Sequence, residues 1–354
     1  MSGTRPGAGA VGKLARSLRT SAPRRRPTPR MLAVGTAAVL GIVVAALAGL
    51  ALGDFPLTID EVLAVLTGRA DGLARTVVLD WRLPRILAAI GFGAALAVSG
   101  AIFQTLTRNP LASPDIIGLA NGSFTGMLVA LLVLGGSWPA LMAGSLLGGL
   151  VAAVAIFLLA LRQGLSGFRF IVVGIGVSAM LAAGNSWLLL RADLDVALFA
   201  AAWGAGTLNT ATATVVWPAL GCLVVLFALT PFAARPLRQL ELGDDVAAST
   251  GVRLTRERAL LIGLAVALVS AVTAVAGPIA FIALAAPQIA RRLAAAPGIP
   301  LTLTALIGGF LLLASDLVAQ HLIPLTVPVG VVTVVIGGLY LTRLLLRERR
   351  ITAR

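Results

Sequence analysis

Residues 80–122 read DWRLPRILAAIGFGAALAVSGAIFQTLTRNPLASPDIIGLANG, and the run 83–106 inside them decides the fold class. Between Arg85 and Arg108 the chain carries no charge. About 20 such residues, wound as a helix, cross the roughly 30 Å of hydrocarbon in a bilayer. Comparable runs lie at 31–53, 116–134, 138–161, 169–190, 213–232, 258–276, 278–293, 301–319 and 325–346, with 278–293 short and 197–212 ambiguous. Composition agrees, since 58% of the 354 residues are hydrophobic and 12% charged, whereas an ordinary globular chain is about a quarter charged. Lipid must take the place of water around most of it. The expected fold is therefore an all-α integral membrane bundle of about ten transmembrane helices. Prolines 218, 278, 287 and 328 fall in or beside spans, which is tolerable where neighbouring helices satisfy the carbonyls they free. The 39 glycines suit helices packed backbone to backbone.

A net charge of +14 raises the question of nucleic acid, and its distribution answers it. Eight of the 28 basic residues lie in the Pro/Gly/Arg-rich stretch 1–30, read as a disordered basic cytoplasmic tail, and the rest flank apolar runs. That is the positive-inside pattern rather than a nucleic-acid face. With the N-terminus in the cytoplasm and the spans alternating, Arg69, Arg75, Arg82, Arg85 and Arg191 fall outside and the other basic residues inside. Trp81, Trp138, Trp187, Trp203 and Trp217 then lie toward the outer interface, where indole rings prefer to sit. Both termini are thus expected on the cytoplasmic side of the membrane. Residues 31–350 form one transmembrane domain in this reading, with a cytoplasmic loop at 233–257. The first span, preceded by Arg24, Arg25 and Arg26, has some look of a signal peptide, but its length in a polytopic chain reads better as an uncleaved span. Residues 57–67 are expected as a helix at the outer surface.

Enzymatic readings fail on particular residues. Gly7 to Leu14, GAGAVGKL, approaches a phosphate loop, but Leu14 stands where the Mg²⁺-binding hydroxyl is required and no strand precedes it. Cys222 and His321 are each single, which excludes a disulfide framework and a histidine-built metal site or dyad. The Asp244–Asp245 pair is too little for a metal-dependent transferase. More informative are the polar islands at span ends. Arg82 and Arg85, three apart, project on one helix face, either as interfacial anchors or as cations for carboxylates of an external partner. Asn109–Pro110 ends that span, and Ser113–Pro114 starts the next. In the loop RPLRQLELGDDVAASTGVRLTRER (235–258), residues 239–250 read as one short amphipathic helix with Leu240, Leu242, Val246 and Ala247 on its apolar face and Gly251 as its cap. Such a helix is a docking element, or else an ordinary loop turn.

Taken in order, RLPR, GAALAVSGAIFQ, NPLASPDIIGLANG, ELGDDVAASTGV, GPIAFIALAAPQIARRL, ASDLVAQ and VPVGVVTVVIGG resemble the FecCD-type permeases. These are the iron–siderophore, haem and cobalamin branch of type II ABC importers, and the likeness covers about residues 30–350. It implies the type II permease fold, with ten helices per subunit. It implies that Arg82 and Arg85 meet glutamates of an extracytoplasmic substrate-binding protein. It also implies that 239–251, with Leu240, Leu242, Gly243, Asp244, Asp245, Val246, Ala248 and Gly251, is the coupling element seated in an ATPase subunit. Gln104, Asn109, Pro110, Ser113, Pro114, Gly118, Pro287, Gln288, Asp316, Pro328 and Gly330 match motif positions with structural or path-lining roles. Half of that path belongs to a second permease.

Departures are specific. Gln288 stands where the family often has His, Gln320 where it often has Arg, and Thr326–Val327–Pro328–Val329–Gly330 where it often reads ELPVG. The VPVGVVT…GGLYL form is similar to the second permease of ferric-enterobactin or dicitrate systems, which implies a heterodimer, with a homodimer as the alternative. By the same resemblance the chain is no enzyme and binds no cofactor or metal. ATP and Mg²⁺ belong to two partner ATPase subunits, the cargo is a ferric siderophore, and haem or cobalamin is the alternative cargo. The chief rival is an ion-coupled secondary transporter. Such carriers place ionisable groups at mid-membrane, and here the nearest candidate is Asp316, close to the outer end of its span.

Overall fold

The computed structural model describes residues 28–115, 118–161, 167–323 and 327–352. Most of the basic tail, the Gly7–Leu14 run, Arg162 and Thr326 lie outside the described residues. Helix α1 (Pro29–Ala51) begins where the Thr28 hydroxyl accepts the Met31 N–H, with Pro29 at a position that needs no donor. The surface helix expected at 57–67 is α2 (Ile59–Leu66). A capping box starts it: Thr58 Oγ1 accepts from the Glu61 N–H while the Glu61 carboxylate accepts from the Thr58 N–H. Next comes α3 (Leu73–Thr107), whose residues Thr76–Arg82 are wound as π-helix. It is followed by α4 (Leu119–Val133), α5 (Trp138–Leu161), α6 (Gly167–Arg191), α7 (Leu194–Gly204) and α8 (Ala213–Glu241). The chain continues as α9 (Asp244–Ser249), α10 (Leu254–Ala276), α11 (Ile282–Ala294), α12 (Leu301–His321) and α13 (Val329–Thr352).

Helix α3 is the hub, packed against α1, α8, α10, α11 and α12 with an almost continuous buried stretch from Ala95 to Thr105. Glycine sets the separation at two of these contacts. A Cβ on Gly93 would overlap the Gly308 carbonyl of α12, and one on Gly100 would overlap the Ala283 carbonyl of α11. Helices α4 and α5 meet the same way, through Gly122 and Gly126 on one and Gly144 and Gly148 on the other. Four-residue spacing of small residues lets membrane helices approach this closely. The outward surface is apolar: Met180, Leu190 and Phe232 are each more than three-quarters exposed. On a water-soluble protein such a surface would drive association; in a bilayer it is simply the lipid-facing side.

Among the described residues, seven helices are long and apolar enough to cross a membrane: α1, α3, α5, α6, α8, α10 and α12. Of the three remaining expected spans, 116–134 contains α4 with 15 residues and 325–346 overlaps α13 with 24. The expected span 278–293 needs correction, because α11 has 13 residues and reaches about 20 Å at 1.5 Å per residue. Residues 278–281 are non-helical, because Gly277 leaves α10 at φ 69° against the Trp203 carbonyl and Phe281 also takes a left-handed φ of 69°. The Thr207 N–H pairs with the Ala276 carbonyl, so irregular backbone here is satisfied within the protein. The ambiguous stretch 197–212 contains the end of α7 and a turn through Gly206.

Candidate functional site

Side chains singled out in the sequence gather at the two ends of α3, which lie about 39 Å apart for the 26 steps of 1.5 Å from Arg82 to Arg108. At the first end, the π-wound turn delivers Arg82 to the C-terminus of α1. Its Nη1 donates to the Leu50 carbonyl at 2.7 Å and its Nη2 to the Phe55 carbonyl at 2.7 Å. A cation there satisfies carbonyls that a helix end leaves open. Arg85, one turn on, meets Asp316 of α12 in a fork: Nε to Oδ2 at 2.9 Å and Nη2 to Oδ1 at 2.8 Å. Asn209 Oδ1 also accepts from Nη2 at 2.9 Å, and Gln320 Nε2 donates to Asp316 Oδ2 at 2.6 Å. The Asp316 side chain is 1% exposed and that of Arg85 19%. Both arginines are thus engaged by their own chain, where the sequence alone left interfacial anchoring and an external carboxylate partner as alternatives. They line a cavity of about 450 Å³ with Trp81, Asn209, Gln320 and His321.

At the opposite end, Gln104 explains how a proline fits inside α11. Pro287 lacks an N–H, so the Ala283 carbonyl one turn back has no helical donor. Gln104 Nε2 donates to Leu284 O at 3.0 Å and Ala283 O at 3.4 Å, and Gln288 Nε2 donates to Gln104 Oε1 at 2.6 Å. Beyond α3, Asn109 Oδ1 accepts the Leu111 N–H, and Ser113 Oγ donates to Asp115 Oδ2 at 3.0 Å. Burial pushes the Asp115 carboxyl up to about 6, against the Ser113 hydroxyl and the Phe281 backbone N–H, which hold it down. Gly118 enters α4 at φ 94° and packs on Ser178 and Gly174 of α6. Gly330, two residues past Pro328, donates its N–H to the Gly206 carbonyl at 2.9 Å, and a Cβ there would overlap Ala205 O.

The segment 239–251 differs from the single helix 239–250 expected from its spacing. Gln239, Leu240 and Glu241 are the last residues of α8, and the chain breaks at Gly243 with φ 112° before α9 begins. The expected apolar face therefore splits. Leu240 and Ala247 are buried, while Leu242 is 68% and Val246 45% exposed. Asp245 and Ala248 are also exposed, and Gly251 closes the turn at φ 87°. Asp244 accepts from both Arg108 at the end of α3 and Arg258 of α10, so one carboxylate ties α9 to two long helices. Glu241 accepts the Ile299 N–H at 3.1 Å. Arg108 and Arg258 read in the sequence only as inside charges. Asn209, Asp115 and Glu241 were missed, and no local signal marks them.

Comparison with known proteins gives a consistent picture. The sequence profile of the FecCD transport family matches residues 40–347. The chain is 47% identical over 322 residues to the ferric enterobactin transport system permease protein FepG of Escherichia coli K12, covering 91% of this chain and 98% of that one. It is 34% identical over 333 residues to the iron(3+)-hydroxamate import system permease protein FhuG of Bacillus subtilis 168, covering 90% and 98%. A solved structure described as an inward-facing, metal-chelate type ABC transporter superposes with a TM-score of 0.80 at 28% identity, covering 89% of this chain and 99% of that one.

Proposed function

This chain belongs to the FecCD transport family, and from that premise we propose that it is the permease subunit of an importer carrying a ferric siderophore across the bacterial cytoplasmic membrane. Near-complete overlap with siderophore permeases supports the cargo class, and the 47% identity to an enterobactin permease favours a catecholate chelate. The mechanism rests chiefly on one observation: α9 is a short helix that exposes Val246 beside Asp245, with Leu242 exposed just before it, and it is pinned by Asp244 to α3 and α10.

In this reading the α9 end faces the cytoplasm, both termini lie there, and ten elements cross or enter the membrane. Two ATPase subunits hold ATP and Mg²⁺ and receive α9 through Val246 and the adjoining Leu242. A second permease, different from this one, supplies the other half of the path. An extracytoplasmic binding protein delivers the loaded chelate at the Arg82–Arg85 end. Nucleotide-driven movement of α9 is passed through Asp244 to α3, the helix that spans both ends. The chain itself makes and breaks no covalent bond.

Uptake of radioiron as catecholate, hydroxamate and citrate complexes by a strain lacking its own permeases tests this directly. Expression with the co-encoded partners should restore catecholate uptake, and replacing the phosphate-loop lysine of the ATPase should abolish it. Uptake that persists without a working ATPase would overturn the proposal.

A further inference from the structure

We infer that Asp316 is a positioning residue for docking: it fixes the Arg85 guanidinium so that the Nη1 edge is left to receive one carboxylate of the extracytoplasmic binding protein. This rests on the reading of Arg85 as a docking cation. Of the five guanidinium N–H donors, three are spent inside the chain. Nε and one Nη2 hydrogen go to Asp316, and the other Nη2 hydrogen goes to Asn209. The two on Nη1 remain, and Arg85 lines the outer cavity of about 450 Å³. Asp316 is in turn held by Gln320. A surface arginine loses side-chain freedom when a partner captures it, whereas this one is already immobilised before the partner arrives.

Arg82 has a different task. Its Nη1 donates to the Leu50 and Ala51 carbonyls at the end of α1 and its Nη2 to the Phe55 carbonyl just beyond, so it clamps the exit of that helix. The paired Asp316 carboxylate also cancels much of the long-range field of Arg85, which makes Arg85 a short-range contact rather than a steering charge. A sign test follows. If bulk charge governed docking, neutralising Asp316 would make this end more positive and tighten capture of an acidic partner. If Asp316 positions Arg85, the same change loosens it.

The transporter, purified through a tag on this chain with its partner subunits and placed in nanodiscs, would be probed with the co-encoded binding protein by surface plasmon resonance. Asp316→Glu keeps the ion pair but displaces the guanidinium by one methylene. It should weaken binding about threefold or more through faster dissociation, and Asp316→Asn about tenfold or more. Either folded variant binding as tightly as the parent, or more tightly, would overturn the inference, and Asp316→Glu decides if Asp316→Asn does not fold. A binding protein with its surface glutamates changed to glutamine separates the two levels. If it still binds at parental affinity, the docking reading itself falls. If it loses affinity while the Asp316 variants do not, the positioning role alone falls.

Discussion

Asp115 shows how one buried side chain gives the protein a pH response. Its carboxyl titrates near 6 in the folded chain, above the ordinary value of 3.8. The folded state therefore holds a proton that the unfolded chain releases, and stability falls as pH rises from about 4 to about 6 before levelling off. Thermal unfolding of the detergent-solubilised protein should show that fall, and Asp115→Asn should flatten it; an unchanged slope in the variant would contradict this origin. Gly126 makes a steric case. Its missing Cβ admits the Gly144 carbonyl, so Gly126→Leu must push α4 from α5 and should cost about 1–3 kcal/mol or more, read as a lower unfolding midpoint. At this scale the sequence was only partly legible. Arg82, Arg85 and Asp316 stood out as charges at span ends, but a pair separated by 231 positions leaves no periodic trace.

Among the elements, legibility followed length. Long apolar runs such as 83–106 and 213–232 fell on α3 and α8, since lipid-solvated backbone has few alternatives to a helix. The short ones misled. Leu240, Leu242, Val246 and Ala247 have helical spacing, yet Gly243 interrupts the helix and turns Leu242 and Val246 outward while Leu240 stays buried. Pattern alone could not show the break, because Gly243 is tolerated in either arrangement. The corrected α9 yields two expected outcomes. Leu242→Asp with Val246→Asp should release the ATPase during purification while the bundle keeps its unfolding midpoint, since both side chains are exposed. Asp244→Ala removes a partly exposed network worth at most about 1 kcal/mol of stability. It should nonetheless lower uptake per ATP hydrolysed several-fold, because α9 is then untied from α3 and α10. Coupling at the parental level in that variant would show that the force travels another way.

Across the whole molecule, charge asymmetry and composition carried the reading further than any motif. An excess of arginine on alternate loops pointed to one orientation, and the structure gathers Arg108, Asp244, Arg258 and Arg291 at one end of the bundle and Arg82 and Arg85 at the other. What composition could not supply is the number of full crossings. Helices α4 and α11 are short because Gly118 and Phe281 start them late, and those left-handed backbone positions are set by tertiary contacts. On the proposed mechanism α9 lies on the cytoplasmic surface and bears on a separate motor. In a Cys222→Ala background, Val246→Cys would be treated with an impermeant maleimide on intact cells and on inverted vesicles, then crosslinked in the assembled transporter. Labelling confined to inverted vesicles, with a crosslink to the ATPase subunit, is the expected result. Labelling on intact cells, or a crosslink only to the extracytoplasmic binding protein, would contradict it.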